Sequence, residues 1–470
     1  MRMLVDGEWM EGEGEIPVQD PYSGEIIDTV PRATARDAER AVAAAVEGYR
    51  VNRDLSTGQR ARILRRAGEL LEERSEEFAV VIAREGSKTI REARKEVYRC
   101  TLTLRLSAEE ATRNQGETVI FDQQEGSEGR RGYFTRVPVG VVAAITPFND
   151  PLNLVAHKVG PALAGGNGVV LKPATVTPLS ALKLAELLLE AGLPPRVLNV
   201  ITGPGGTVGE ALVTDPRVRM VSFTGGVEAG LRITRKAGLK KLGMELGSNS
   251  PVVVLEDADL EAAVESCVSG AFWAAGQNCI GVQRIYLQET IAPAFQEAFV
   301  ARARAYKVGP KLEEDCDMGP LITEEEARRV EGWVREAVEK GARVLCGDEG
   351  EGAVYRPTVL TDVPEDATIH SEEVFGPVVS LYTVKDLEEG IRRSNAVDFG
   401  LQAAVFTSSL ASAFRAVDGL EAGAVMVNDS TDYRMDAMPF GGMKQSGLGR
   451  EGVPFALQEM TEPRTVCFNL

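Results

Sequence analysis

The feature that most constrains the fold is a regular alternation of short apolar runs with segments of helical spacing, which begins near residue 139. The apolar runs predict strands at residues 141–146, 169–172, 197–201, 218–223 and 252–255. One intervening helix is predicted to begin at Thr177-Pro178, an N-cap and N1 pair, and to end at Gly192. Strands that alternate with helices are typical of a mostly parallel, doubly wound sheet, so we predict an α/β fold.

A second series of strands is predicted later in the chain, near residues 284–288, 377–382, 402–406 and 423–428. A chain of 470 residues exceeds one ordinary core at about 150 residues per domain, so this series predicts a second α/β domain. Near the N-terminus, Thr34 is predicted to cap a helix over residues 35–49. Residues 115–138 alternate in polarity and contain glycines, which predicts a β-hairpin or an extended arm.

Charge and composition argue against several classes of protein. A net charge of −18 is atypical of general nucleic-acid binding, which requires clustered Lys and Arg. No apolar run approaches the roughly 20 residues that span a bilayer, so no membrane partner is expected. The six cysteines are dispersed without a CxxC pair, which indicates reduced thiols and a cytoplasmic location. The only histidines are His157 and His370, so no metal site is expected and acid–base chemistry is assigned to carboxylates.

Two glycine-rich turns follow predicted strands, at residues 202–209 and 223–230. Glycine in such a turn lets a phosphate approach backbone N–H groups at a helix N-terminus. Neither turn has the GxGxxG pattern, and either one alone is also compatible with an ordinary tight turn. Their occurrence in successive strand–helix units predicts a dinucleotide that lies across the sheet.

Cys279, in the segment Gly276-Gln277-Asn278-Cys279-Ile280-Gly281, is a candidate nucleophile. A free cysteine is most often a small buried hydrophobe, and Cys267 has the helical spacing of such a core residue. Cys279 differs because the glycines and amides around it indicate an irregular turn. Glu245 lies 34 residues earlier and is a candidate general base, with a solvated surface glutamate as the alternative.

Two further polar residues follow predicted strands. Asn149, in Thr146-Pro147-Phe148-Asn149-Asp150-Pro151, is placed to donate to an oxyanion or to form an Asx-turn before Pro151. Lys172 is placed to contact a cofactor at the carboxyl end of a parallel strand, with a solvent-exposed lysine as the alternative.

These segments, with others in the same order along the chain, resemble the aldehyde dehydrogenase superfamily. The resembling segments are DPYSGEIIDTVPRAT, PFNDPLNLVAHKVGPALAGGNGVVLKPAT, FTGG, MELGSNSPVVV, GQNCIGVQR, EEVFGPVV and PFGGMKQSGLGREG. The resemblance extends over nearly the full length and points to the branch of lactaldehyde, phosphonoacetaldehyde and non-phosphorylating glyceraldehyde-3-phosphate dehydrogenases. It implies a Rossmann-like, doubly wound cofactor domain, a second α/β catalytic domain and a small β oligomerisation arm of a homodimer or homotetramer. The implied ranges are 1–114 and 139–247 for the cofactor domain, 248–434 for the catalytic domain, and 115–138 and 453–470 for the arm.

The resemblance also implies that an aldehyde is oxidised by NAD(P)+ without a metal. Cys279 would attack the aldehyde, and the Asn149 side chain and the Cys279 backbone N–H would hold the oxyanion of the thiohemiacetal. Loss of a hydride to the cofactor would leave a thioester, which water activated by Glu245 would hydrolyse.

The cofactor residues that the resemblance implies come from several segments. Lys172 would meet the adenine ribose, and Glu373 and Phe375 would position the nicotinamide ribose and ring. The full set is Thr146, Pro147, Phe148, Lys172, Thr175, Gly205, Gly209, Phe223, Thr224, Gly225, Gly226, Gly230, Leu246, Glu373 and Phe375.

Three positions depart from the family pattern. Gly226 replaces a serine, which implies that one hydrogen bond to the pyrophosphate is lost, and Ser248 replaces a glycine without a predicted effect. Thr175 stands where NAD-preferring members often carry a glutamate, which binds ribose hydroxyls and repels a 2′-phosphate. We therefore hypothesise that NADP is accepted as well as NAD.

The substrate is expected to be a small anionic or hydroxylated aldehyde. Arg99 and Arg434 are candidate cations for it, with a surface salt bridge as an equal alternative for Arg99. Asn278 argues against an anion, because several phosphate-using relatives have an arginine there. Two other functions remain open: a CoA-acylating semialdehyde dehydrogenase, which usually lacks the base glutamate, and a catalytically silent relative with a binding or structural role.

Overall fold

The computed structural model describes all 470 residues, which form two large β-sheets with helices on their faces and four smaller sheets. The strands are β1 (Met3–Val5), β2 (Glu8–Met10), β3 (Glu15–Gln19), β4 (Ile26–Pro31), β5 (Glu117–Val119), β6 (Arg130–Pro138), β7 (Val141–Ile145), β8 (Gly168–Lys172), β9 (Leu198–Val200), β10 (Val218–Thr224), β11 (Lys241–Glu245), β12 (Ser250–Val254), β13 (Val282–Gln288), β14 (Arg343–Cys346), β15 (Gly350–Glu351), β16 (Val354–Tyr355), β17 (Thr358–Thr361), β18 (Val378–Val384), β19 (Phe399–Gly400), β20 (Gln402–Phe406), β21 (Ala424–Val427), β22 (Met443–Lys444), β23 (Gly447–Leu448) and β24 (Thr461–Asn469). The α-helices are α1 (Ala35–Asp54), α2 (Thr57–Glu73), α3 (Ser75–Glu85), α4 (Ile90–Arg113), α5 (Asn153–Ala164), α6 (Leu179–Glu190), α7 (Glu210–Thr214), α8 (Val227–Lys236), α9 (Leu260–Phe272), α10 (Ala292–Arg304), α11 (Glu324–Glu339), α12 (Thr368–Ser371), α13 (Leu387–Ser394), α14 (Leu410–Gly419) and α15 (Val453–Glu459).

The first large sheet has the strand order β2-β1-β9-β8-β7-β10-β11-β23. Its central strands, from β9 to β11, are parallel. From β7 the chain adds β8 and β9 on one side and then returns to add β10 and β11 on the other. In sheets of this kind a ligand binds outside the carboxyl ends of the strands, at the point where the order reverses. Here that point lies between β7 and β10.

Both faces of the first sheet are covered. Along β7, Val142 and Ala144 pack into one core, and Val141, Ala143 and Ile145 pack into another. Successive side chains of a strand point to opposite faces, so an all-apolar strand fits a sheet that is buried on both sides. The prediction of an α/β, doubly wound sheet is confirmed, and the predicted strand limits agree with the observed ones to within two residues.

The second large sheet has the order β14-β17-β18-β13-β12-β20-β21 and is parallel except at its edge strand β14. Val253 of β12 packs into one core, whereas Val252 and Val254 pack into the core on the opposite face. Cys267 of α9 is fully buried in the latter core, as its helical spacing predicts. None of the α-helices has both the length and the apolar character that crossing a membrane requires.

The predicted hairpin at residues 115–138 is present, because β5 pairs antiparallel with β6. β24 pairs along the whole of β6 and completes a three-stranded sheet. Residues 453–459 are the helix α15, which packs against α5, so this sheet takes only residues 461–469 from the C-terminal segment. The division into domains and the role of this sheet in oligomerisation stay predictions.

The N-terminus of α6 differs from the prediction. Thr177 does not cap it, and its buried hydroxyl has no hydrogen-bond partner. Instead the Glu85 carboxylate, at the end of α3, accepts hydrogen bonds from the backbone N–H groups of Leu179 and Ser180 at 2.6 and 2.9 Å. Local sequence rules cannot detect a cap that comes from a distant helix. Thr34, by contrast, caps α1 as predicted.

Candidate functional site

The candidate site lies where strand ends of the two large sheets meet. Phe148 follows β7 of the first sheet, and Phe375 precedes β18 of the second. Their rings pack edge to face with centroids 5.7 Å apart. Asn149 from the first sheet and Cys279, which precedes β13 of the second, line the same cavity. Residues that are 130 positions apart in the sequence are thus brought to one place by the two sheets.

This cavity has a volume of about 320 Å³ and is lined by charged, polar and apolar side chains. The predicted residues among its walls are Arg99, Asn149, Asn278, Cys279 and Arg434. The structure therefore brings every predicted substrate residue together with the predicted nucleophile. No group of three or more His, Cys, Asp or Glu side chains is arranged to hold a metal ion.

Two N–H groups in this cavity are free to donate. The Asn149 amide makes no hydrogen bond within the chain, so the alternative of an Asx-turn is not observed. The Cys279 backbone N–H also has no acceptor, whereas the N–H groups of Ile280 and Gly281 both donate to Asn278. The two donors remain available for an oxygen atom bound next to the sulfur.

The Cys279 thiol is half-buried and holds its proton strongly. Burial and the Glu373 carboxylate together raise the pKa of Cys279 to about 12, while Arg434 opposes the increase. The thiolate is the reactive form of cysteine, so a thiol in this environment needs its proton removed before or during attack.

Glu245 ends β11 and is buried beside the cavity rather than on its wall. Its Oε2 atom has no hydrogen-bond partner. Burial and the neighbouring Glu451 carboxylate raise the pKa of Glu245 well above its ordinary value, while Lys158 and Arg434 oppose the increase. The alternative of a solvated surface glutamate is therefore wrong. Glu245 also contributes to the raised pKa of Cys279, so the two groups lie within electrostatic reach of each other.

Glu245 and Glu451 form a pair of buried carboxylates, and Glu451 is the member that carries the charge. Lys158 Nζ lies 2.6 Å from Glu451 Oε1, and Arg434 Nη2 lies 3.1 Å from Glu451 Oε2. Burial alone would raise the pKa of Glu451, but Lys158 and Arg434 hold it well below its ordinary value. Two adjacent carboxylates repel each other when both are ionised, so Glu451 keeps the charge and Glu245 holds a proton more tightly.

Arg99 is paired inside the cavity region. Its Nη2 atom lies 2.8 Å from Asp436 Oδ1, and His157 Nε2 lies 2.9 Å from the same oxygen. The Asp436 and His157 side chains are buried, and only 24% of the Arg99 side chain is exposed. Arg99 therefore forms a salt bridge, but its partner Asp436 is buried at the site, so the alternative of a surface salt bridge is wrong.

The carboxyl edge of the first sheet holds unpartnered polar groups and open glycine turns. The hydroxyls of Thr146, after β7, and Thr224, at the end of β10, are buried without a hydrogen-bond partner at the point where the strand order reverses. A Cβ atom added at Gly205 or Gly226 would meet nothing within 4 Å, so both turns face open space. Unpartnered buried hydroxyls next to open glycine turns suit a polar ligand with phosphates.

Lys172 and Thr175 lie at the next strand end. Lys172 is buried, which excludes the solvent-exposed alternative, and its Nζ donates to the Pro173 carbonyl at 2.9 Å. Burial lowers the pKa of Lys172 to about 8. Thr175 Oγ1 donates to the Gly203 carbonyl at 3.1 Å. Gly209 packs beside the Lys172 stem.

Two predicted phosphate-turn glycines have other tasks. The Gly225 N–H donates to the Glu245 carbonyl at 3.1 Å and prolongs the pairing of β10 with β11, so it is not a free donor for pyrophosphate. The Phe223 ring packs closely on Gly225. Gly230 allows α8 to pack on the Leu246 side chain, which a Cβ atom at that position would strike.

Glu373 joins the loop before β18 to the segment after β11. The Ser248 N–H donates to Glu373 Oε1 at 2.8 Å. Burial raises the pKa of Glu373 to about 8, while the Ser248 N–H and Arg329 oppose the increase. The Ser248 hydroxyl lies 3.0 Å from that of Ser250. Ser248, which replaces a glycine of the family pattern, thus adds a side-chain hydrogen bond to β12, while its backbone N–H binds Glu373.

Sequence reasoning missed several charged residues at the site. Glu451 lies in a quoted motif, and Lys158 interrupts the apolar stretch of α5, yet neither has a local pattern that assigns a role. Asp436 lies in no sequence pattern that predicts a functional role. Glu92 stands in a Thr-x-x-Glu pattern at the start of α4, which indicates a capping box and nothing more.

Comparisons with known proteins agree with this geometry. The family model described as Aldehyde dehydrogenase family matches residues 9–466. The chain is 50% identical over 458 residues to aspartate-semialdehyde dehydrogenase 1 of Pseudomonas canavaninivorans, covering 97% of each chain. It is 46% identical over 468 residues to 3-sulfolactaldehyde dehydrogenase of Priestia aryabhattai, covering 100% of this chain and 98% of that relative.

A solved structure extends the likeness to three dimensions. Glyceraldehyde-3-phosphate dehydrogenase GapN from Methanocaldococcus jannaschii, complexed with NADP, superposes with a TM-score of 0.94 at 39% identity. The match covers 97% of this chain and 100% of that one. Identity at this level over whole chains, together with the shared fold, establishes that this chain belongs to the aldehyde dehydrogenase family and is an NAD(P)-dependent aldehyde dehydrogenase.

Proposed function

We propose that the protein oxidises a small aldehyde bearing an anionic group to the carboxylic acid, through a thioester on Cys279 that Glu245 helps to hydrolyse. One observation carries the proposal: Cys279 and Asn149 share a cavity with two arginines, and the buried Glu245 lies within electrostatic reach of the thiol. In the overall reaction, one aldehyde, one water and one NAD(P)+ give one carboxylate, one NAD(P)H and two protons.

In the first half of the reaction, the Cys279 thiol releases to solvent water one of the two protons of the overall reaction, and its sulfur forms a bond to the aldehyde carbon. The aldehyde oxygen becomes an oxyanion and accepts hydrogen bonds from the Asn149 amide and the Cys279 N–H, which have no other acceptor. Preorganised donors of this kind accelerate a reaction by about 10²–10³-fold each.

The chemistry that bound NAD(P)+ supplies is acceptance of a hydride from the thiohemiacetal carbon, which leaves the thioester on sulfur. Glu373 and Phe375 would hold the nicotinamide end, and Lys172 and Thr175 the adenosine end. We propose that NADP is accepted, because residue 175 carries no carboxylate that would repel a 2′-phosphate. A phosphate beside Lys172 would also favour the charged lysine, whose pKa burial lowers to about 8. The NADP complex of the GapN relative supports this choice.

In the second half, Glu245 takes a proton from the water that attacks the thioester carbon, and Cys279 leaves as the thiol or thiolate. A general base works best when its pKa lies near the working pH. Burial and the charge of Glu451 raise the pKa of Glu245 in that direction. An intact base argues against the CoA-acylating alternative, in which a thiol replaces water, and against a silent relative.

The cavity charges support an anionic substrate group. Arg99 and Arg434 both line the cavity, and Nε of each is buried without a partner, although other nitrogen atoms of each pair with carboxylates. The names of two relatives denote aldehydes with an acidic group, 3-sulfolactaldehyde and aspartate semialdehyde. Asn278 carries no charge, so binding of the anionic group is assigned to Arg99 and Arg434.

A second candidate is an amino-acid semialdehyde, which carries an ammonium group as well as a carboxylate. Asp429 and Asp432 line the same cavity, and neither has a cationic partner within 4.0 Å. Burial raises the pKa of Asp432, and Lys95 opposes the increase. A substrate ammonium would compensate these acids while Arg99 receives the carboxylate.

A substrate panel tests both candidates. NAD(P)H absorbance is followed with 3-sulfolactaldehyde, lactaldehyde, aspartate semialdehyde and a neutral aldehyde of similar length, with and without CoA. We expect the highest kcat/KM for an aldehyde with an acidic group and no increase with CoA. Preference for the neutral aldehyde would contradict the proposal, and a preference for aspartate semialdehyde that Asp432→Asn removes would favour the second candidate.

A further inference from the structure

The nucleophile is preceded by a backbone turn of unusual handedness. Ala274 has φ 50° and ψ 38°, and Ala275 has φ 56° and ψ 36°. Gly276 follows at φ 70°, so three consecutive residues are left-handed. Only glycine adopts this region without a steric penalty, and two consecutive alanines there require support from the surroundings.

The turn fits closely against the loop that carries two predicted cofactor residues. A Cβ atom at Gly276 would strike the Gly376 carbonyl. Gly376 directly follows Phe375, which is itself left-handed at φ 45°. The conformation of residues 274–276 therefore sets both the position of Cys279, three residues later, and its spacing from this loop.

Hydrogen bonds from distant side chains support the turn. The Ala274 N–H donates to Glu92 Oε1 of α4 at 2.8 Å. The Ala274 carbonyl accepts from the N–H and the Nε2 of Gln277, at 3.2 and 3.0 Å. The Gln277 Oε1 accepts in turn from the Ile322 N–H at 2.9 Å. Both polar groups of Ala274 are thus satisfied without a helical partner, which a buried backbone requires.

We propose that Glu92 is a positioning residue for the reaction, which holds Ala274 in the left-handed conformation and thereby places the Cys279 sulfur and N–H. This inference rests on the proposed role of Cys279 as the nucleophile. Glu92 is only 5% exposed, so its carboxylate has been taken out of water for these contacts. Its second oxygen accepts from the Thr89 N–H at 2.8 Å, at the start of α4.

The two oxygens of Glu92 therefore have two separable tasks. One completes the capping box of α4 with Thr89, and the other fixes the turn before Cys279. A glutamine offers a single acceptor oxygen for the two N–H groups, and alanine offers none. Thr89→Ala removes the side-chain half of the cap, in which Thr89 Oγ1 accepts from the Glu92 N–H, and keeps both backbone N–H groups that donate to the Glu92 carboxylate.

The test compares Glu92→Ala, Glu92→Gln and Thr89→Ala with the wild type. Two rates are measured: the rate constant of the first NAD(P)H formed per site, and the rate of Cys279 alkylation by iodoacetamide without cofactor. We expect Glu92→Ala to slow both by about 10–100-fold, since a displacement near 1 Å costs that much, with little change in the KM of the cofactor. Glu92→Gln should fall between, and Thr89→Ala should lower the melting temperature with both rates near wild type.

A rescue separates positioning from general destabilisation. Ala274→Gly removes the steric penalty of the left-handed turn, so it should restore several-fold of the lost rate in the Glu92→Ala protein without restoring its melting temperature. Wild-type rates in folded Glu92→Ala, or equal losses in Thr89→Ala, would overturn the inference. Full activity of Cys279→Ser would instead overturn the proposed function, on which the inference rests.

Discussion

The two sides of Cys279 differ in how their polar groups are satisfied. On the cavity side, the two predicted substrate arginines are already paired with buried carboxylates, Arg99 with Asp436 and Arg434 with Glu451. On the side of the proposed cofactor site, the Thr146 and Thr224 hydroxyls have no partners, and the turns at Gly205 and Gly226 face open space.

This difference affects how well binding on each side of Cys279 tolerates a substitution. A ligand on the cofactor side can satisfy open groups without breaking an existing bond. An anion that binds Arg99 or Arg434 must share or displace one member of a buried ion pair, and an uncompensated buried charge costs several kcal/mol. Cofactor binding is therefore expected to tolerate single substitutions better than substrate binding does.

Among substitutions that test this contrast, we expect Arg99→Leu to have the largest effect on kcat/KM. It removes a cavity cation and leaves Asp436 with His157, so kcat/KM for an anionic aldehyde should fall by about 10–100-fold. The value for a neutral aldehyde of similar length should change by less than about 3-fold. Arg105→Leu, on the exposed part of the same helix, is the matched control. An equal loss on both aldehydes would remove Arg99 from anion recognition.

On the cofactor side, Thr175→Glu should change preference and not abolish binding. A carboxylate at residue 175 repels a 2′-phosphate, so the NADP/NAD ratio of kcat/KM should fall by about 10-fold. Thr175→Val controls for loss of the hydrogen bond to Gly203 without adding charge. An unchanged ratio in Thr175→Glu would exclude residue 175 as the determinant.

A smaller effect is expected in the pH profile. Glu245 acts as a base only when deprotonated, so the rate of thioester hydrolysis should fall as the pH is lowered through its raised pKa. Glu451→Gln removes the neighbouring negative charge and leaves Lys158 and Arg434 nearby. The pKa of Glu245 should then decrease, and the acid limb of kcat should move to lower pH by about one unit. A shift to higher pH would contradict the coupling of the two carboxylates.

The sequence predicts those parts of the molecule that depend on local patterns. The strands of both large sheets are predicted by apolar runs and the turns between them. Asn149 and Cys279 are recognisable because each lies in an irregular segment, Asn149 after β7 and Cys279 before β13. The capping of α6 by Glu85 and the pairing of Arg99 with Asp436 could not be predicted, because each partner is remote in the chain. Glu92 shows the limit most clearly: its capping box is a local pattern, whereas its bond to Ala274 spans 182 residues.

The most direct test of the central claim is a mass measurement on Glu245→Gln. The protein is mixed with NADP and an aldehyde that the wild type oxidises, and NADPH and intact mass are followed together. We expect about one NADPH per site, then a steady rate at least about 100-fold below wild type, with an acyl group on the Cys279 peptide. Steady turnover at the wild-type rate, or a burst without an acyl group on Cys279, would contradict a thioester that Glu245 hydrolyses.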